Sequence, residues 1–97
     1  MEKLKLAKQI ADHELETISG GRQFTPREEA NIESTDRKAM EVVEMLESQH
    51  NNDALRKFKD DYNEASYRYT RSVLDNRISP DSVMFSDFFE TYYGWPY

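Results

Sequence analysis

The sequence predicts an all-α single domain, residues 1–97, in which four helices build on a long antiparallel helical hairpin. Three observations point there. Apolar residues recur at spacings of three and four along several segments. Two segments open on a hydroxyl residue followed by proline, Thr25-Pro26 and Ser79-Pro80, a helix-start signature. The 97 residues hold only three Gly and three Pro, so little interrupts long helices.

The first helix is predicted over residues 2–18. Leu4, Ala7, Ala11, Leu15 and Ile18 form one apolar stripe, and Gly20-Gly21 ends it. The second is predicted over 26–48. Thr25 is its N-cap, Pro26 its first residue, and Glu28 sits where a capping box needs it. Its first half is polar apart from Ile32; its second half carries Ala39, Met40, Val42, Val43 and Leu46. Residues 49–52 form a turn, with Asn52 as the cap of the next helix.

The third helix, 53–76, has the clearest period. Leu55, Phe58, Tyr62, Ala65, Tyr69 and Val73 make a near-heptad seam that should pack lengthwise on another helix. The short turn before it makes the second and third helices an antiparallel hairpin. A fourth helix is predicted over 80–93 from the Ser79-Pro80 signature, and Gly94 and Pro96 leave 94–97 as a short non-helical aromatic tail.

Net charge is −6 and mean hydropathy −0.93, with 37% hydrophobic residues. The apolar share allows only a slender core in a chain this short. The acidic balance argues against direct binding to nucleic acid, which needs clustered Lys and Arg. Residues 25–50 carry seven acidic and three basic groups, so a protein partner with a basic surface is favoured. The absence of Cys excludes disulfides and thiolate chemistry, and favours a cytoplasmic home. Residues 1–8 mix charge with apolar groups, unlike a secretory signal peptide, and no run is long and apolar enough to cross a membrane.

Chemistry-bearing patterns are sparse. Glu47-x-x-His50 has the spacing used in di-iron bundles, but Ile10 stands three residues before His13, so the second copy is missing. Gly20-Gly21-Arg22 lacks the ending of a phosphate-binding loop, and no nucleophile elbow is present. No cofactor, metal or catalytic residue is expected, and the chain reads as non-enzymatic.

The least expected feature is aromatic. The last nineteen residues hold seven of the twelve aromatics: Phe85, Phe88, Phe89, Tyr92, Tyr93, Trp95 and Tyr97. The three phenylalanines lie on one helical face and suit a core. Tyr92, Tyr93, Trp95 and Tyr97 are too many to bury at a chain end, and such rings dominate protein interfaces.

Residues 51–85 loosely resemble the helical half of the small hemolysin-expression-modulating family. The resemblance is carried by Leu55, Phe58, Thr70, Leu74, Ile78, Pro80 and Val83, across about a third of the chain. It implies a helical protein that binds nucleoid-associated partners. Asn63 falls where that family has an acidic partner-binding residue, the neighbouring His-Arg is absent, and the shared positions are mostly helix-seam residues; no membership follows.

The expected function is therefore a helical protein-protein interaction module, a small regulator or inhibitor. Its expected contact residues are Tyr92, Tyr93, Trp95 and Tyr97 of the C-terminus and Glu33, Asp36 and Glu44 of the acidic helix. The alternatives are an acidic nucleic-acid mimic that inhibits a nucleic-acid-binding protein, and a self-assembling subunit that dimerises through the tail.

Overall fold

The computed structural model describes residues 6–10 and 22–96. It is all-α, with no strand among the described residues. Residues 7–10 are the described part of helix α1. They are followed by α2 (Pro26–Ser48), α3 (Asn52–Leu74) and α4 (Phe85–Tyr92). The rest of the predicted first helix lies outside the described residues.

The predicted hairpin is present, and α4 packs against both of its arms. On α3 the whole predicted seam, Leu55, Phe58, Tyr62, Ala65, Tyr69 and Val73, is buried. It meets Ile32, Ala39, Val42 and Leu46 of α2 and Phe85 and Phe89 of α4 in one core. The rings interlock edge to face: Tyr62 lies 5.5 Å from Phe85 and 5.4 Å from Phe89, and Phe58 lies 6.0 Å from Phe89. Each such buried ring contributes about 2–3 kcal/mol of transfer free energy, so the C-terminal phenylalanines are a large part of this small core. Phe24, just before α2, is also buried, 6.2 Å from Tyr69.

The turn between α2 and α3 is built by the backbone. The Asn51 amide donates to Leu46 O and the His50 amide to Glu47 O, the two bonds of a Schellman closure. That closure puts His50 at φ 55, where glycine is usual. Asn51, not the expected Asn52, then caps α3, accepting from the Ala54 amide. The C-terminus of α3 repeats the device: Arg77 N–H donates to Ser72 O and Asn76 N–H to Val73 O, with Asn76 at φ 63. This closure ends α3 at Leu74, ahead of the predicted boundary.

The fourth helix starts later than predicted. Ser79-Pro80 opens a tight turn, in which the Ser82 amide donates to Ser79 O and Asp81 sits at φ 60. Hydroxyl-then-proline serves a turn as well as a helix start, and a positive φ after the proline selects the turn. At the far end Gly94 takes φ 83, a conformation that reverses the chain at little cost only for glycine, and Trp95 folds back to 5.9 Å from Phe58 and 4.8 Å from Phe89.

The capping of α1 and α4 explains why the first half of α2 is polar. The residue just before α4, Met84, has no side-chain cap to offer. Asn31 of α2 does it instead, its Oδ1 accepting from the Ser86 amide at 3.0 Å and its Nδ2 donating to Ser86 Oγ at 2.9 Å. Leu6 stands just before residue 7 of α1 and likewise has no side-chain oxygen; Gln9 accepts from its amide, which is half of a capping box. The other half comes from Asp36, also on α2.

His50 is a bulky residue held in the left-handed region at an exposed turn, at a cost of about 1 kcal/mol. His50→Gly should therefore raise unfolding free energy by about 0.5–1 kcal/mol, read as a higher urea midpoint at unchanged slope. A lower midpoint would show that the imidazole makes a contact worth more than the strain.

Candidate functional site

The expected contact residues separate into three environments. Glu33 and Glu44 are exposed on α2 as expected. Tyr92 is 70% exposed, its ring 5.0 Å from Phe88. Tyr93 and Trp95 are half-buried and pack against the core. The Tyr93 ring stacks on Phe89 at 5.7 Å and its hydroxyl accepts from Arg68 at 3.1 Å. Lys38 Nζ sits 4.3 Å from the centre of the Trp95 ring, a cation–π contact that ties the tail to α2. Tyr97 lies outside the described residues.

Asp36 is the correction. It was expected on a solvated face; it is 4% exposed. Its Oδ1 accepts from the Ala7 amide at 2.9 Å and from the Tyr62 hydroxyl, and its Oδ2 accepts from the Lys8 amide at 3.0 Å. The carboxylate thus caps α1 from another helix and joins it to the seam of α3. The N-terminal end of a helix dipole favours the negative charge. Burial above all, and then the Asp36 carboxylate, push the Tyr62 hydroxyl well above its ordinary range, so it stays a neutral donor.

Glu28 is a second buried carboxylate, 0% exposed, in a role larger than the predicted capping box. It accepts from the Thr25 amide at 2.9 Å and takes a fork of Arg22 bonds at 2.7 and 2.8 Å. Arg22 Nε also donates to Ile78 O at 3.0 Å, and Thr25 Oγ1 donates to Asp81. The start of α2 is so fastened to the turn that precedes α4. Burial raises the Glu28 carboxyl, but the Arg22 and Thr25 hydrogen bonds outweigh it and hold the group below its ordinary value of 4.5. Nearby, burial first and then the Glu28 charge raise the Tyr69 hydroxyl, which donates to Val83 O at 2.6 Å.

Three features were not anticipated from the sequence: the roles of Arg22 and Asn31, and a groove of about 480 Å³. Leu6 and Gln9 of α1, Met40, Val43, Glu44 and Glu47 of α2, and Lys59 of α3 line that groove. Met40 is 48% exposed there, although it belongs to the apolar half of α2. Glu47 and His50 are both exposed at the hairpin turn, and His13 lies outside the described residues. Among the described residues no group of three or more His, Asp or Glu is arranged to hold a metal ion, and no helix is long and apolar enough to cross a membrane.

Comparison with protein-family models, curated proteins and solved structures finds no match, for residues 51–85 or any other stretch.

Asp36→Asn keeps the shape but turns an amide donor toward donors, and should cost about 2–3 kcal/mol in urea unfolding. Tyr62→Phe should cost about 1 kcal/mol, and the double variant less than the sum, because the two share one hydrogen bond. Additive losses would mean that the two groups act separately.

The Glu28–Arg22 pair sets a pH dependence. Because folding lowers the Glu28 pKa, its contribution is full above the ordinary value of 4.5 and is lost as pH falls through the lower folded value. Glu28→Gln should cost about 3 kcal/mol at neutral pH. That difference should shrink as both proteins are titrated below pH 4.5. A difference constant down to acid would refute the assignment.

Proposed function

We propose that the chain is a non-enzymatic helical protein-protein interaction module, a small regulator or inhibitor that docks on a basic protein surface. The observation that carries this reading is Tyr92. The fold uses Phe85 and Phe89 as core and Tyr93 and Trp95 as its cover, yet leaves the Tyr92 ring 70% exposed on a half-buried Phe88. An amphipathic ring packed on a neighbouring ring at the end of a docked helix is a typical hot-spot anchor, since a Tyr side chain has few rotamers to lose on binding. Exposed carboxylates on α2, Glu33 among them, and a net charge of −6 supply the complementary field for a basic partner.

The placement of Asp36 bears on the nucleic-acid-mimic alternative. One of the three carboxylates expected to face a basic groove is instead enclosed. The remaining acidic residues of α2 are interspersed with the exposed Arg37 and Lys38, a weaker copy of an unbroken phosphate row.

The test is capture of a partner from the native host, followed by titration of the purified pair with wild type and with Tyr92→Ala and Glu33→Gln. Tyr92 is preferable to truncation after Thr91, because truncation also removes Tyr93 and Trp95 from the core. Tyr92→Ala should lower affinity by more than about 1 kcal/mol and leave the unfolding midpoint unchanged. Glu33→Gln should weaken association less, with a reduced salt dependence. A partner that binds both variants as it binds wild type would overturn the proposal.

A further inference from the structure

The groove between α1, α2 and α3 is not explained by the docking surface at Tyr92. Leu6, Met40 and Val43 give it an apolar lining. Met40, Val43, Glu44 and Glu47 are spaced three, one and three apart, so they form a single stripe along α2. Its Glu44 and Glu47 make the α2 rim of the groove acidic, and Lys59 gives the α3 rim a positive charge.

The signs of the two rims decide what can fill the groove. A uniformly basic segment would be attracted to Glu44 and Glu47 but repelled by Lys59. A uniformly acidic one would meet the reverse. An isologous two-fold pairing brings the same patch of each chain together and lets each rim face its opposite. We infer that this groove is the interface of a homodimer, in which Met40 and Val43 pack against their counterparts. Glu44 and Glu47 of each copy then face Lys59 of the other.

Burying a half-exposed methionine suits such a contact, since the flexible thioether adapts to the facing copy. The inference does not rest on the docking reading: Tyr92 is not among the residues that line the groove.

Sedimentation velocity on the full chain across 1 µM to 1 mM tests it. The wild type should shift from monomer to dimer with rising concentration. Glu47→Lys and Lys59→Glu should each weaken the dimer at least tenfold while retaining the helical circular-dichroism spectrum. Mixing the two variants should restore association, because reversed rims on one copy then meet reversed rims on the other. Met40→Asp should abolish the dimer, and Tyr92→Ala should leave it unchanged. A wild type that stays monomeric at 1 mM overturns the inference. So does a dimer that is insensitive to Glu47→Lys and Lys59→Glu, or one lost in Tyr92→Ala. The Tyr92 result thereby separates failure here from failure of the docking proposal.

Discussion

The Asp36 carboxylate joins three helices at one buried point, and most of the architecture depends on satisfying it. It lies on α2, caps the amides that open α1, and accepts the hydroxyl of Tyr62 at the centre of the α3 seam. A buried carboxylate is tolerable only when its lone pairs are taken up. Here the backbone amides of a helix start and a phenol do so. The same helix caps α4 through Asn31 and fastens the turn before α4 through Glu28. Helix α2 therefore organises the fold by its polar face as much as by its apolar one.

This arrangement makes formation of α4 depend on docking. Helix α4 has eight residues, and a helix so short is not stable alone in water. Met84, just before α4, has no capping side chain. Its cap arrives only when α2 is alongside, and its phenylalanines are buried only when α3 is. Capping and hydrophobic burial thus reward the same event, and each local choice agrees with the global fold. The chain can do with a modest apolar content because its polar residues specify which surfaces meet. The aromatic seam then contributes the larger share of the energy.

The hairpin, its arms and the α3 seam were legible because period and capping chemistry are local properties. Thr25, Pro26 and Glu28 formed the predicted capping box. Phe85 and Phe89 went to the core, as a helical face in a chain short of core demands. The roles of Asp36 and Asn31 were not legible by charge, since an acidic run usually faces solvent. Register held a signal, however. Glu28, Ile32, Asp36, Ala39, Val43 and Leu46 recur at three and four, so Asp36 shares a stripe with apolar residues. A carboxylate in that register asks for buried donors. Which donors is a tertiary fact: nothing in residues 6–9 names α2 as the source of their cap. The start of α4 was misplaced for a related reason, because Ser-Pro-Asp suits a turn and a helix equally until the φ of Asp81 is known.

The surfaces left over by the fold are set by the same division of labour. With Asp36, Asn31 and Glu28 turned inward, the carboxylates outside on α2 are Glu29, Glu33, Glu41, Glu44 and Glu47. With Phe85, Phe89 and Trp95 committed to the hairpin, the tail offers Tyr92 rather than a broad aromatic sheet. Two surfaces of different character result: a single exposed ring on α4, and a groove with an apolar lining and rims of opposite charge. One is suited to a foreign surface, because it carries little information about its partner beyond a pocket for a ring. The other is suited to a copy of itself, because a two-fold mate can set its own acidic rim against the basic one and its basic rim against the acidic one. A module that dimerises through the second would display the first twice, and a partner with two sites at matching separation would then be held by both rings at once.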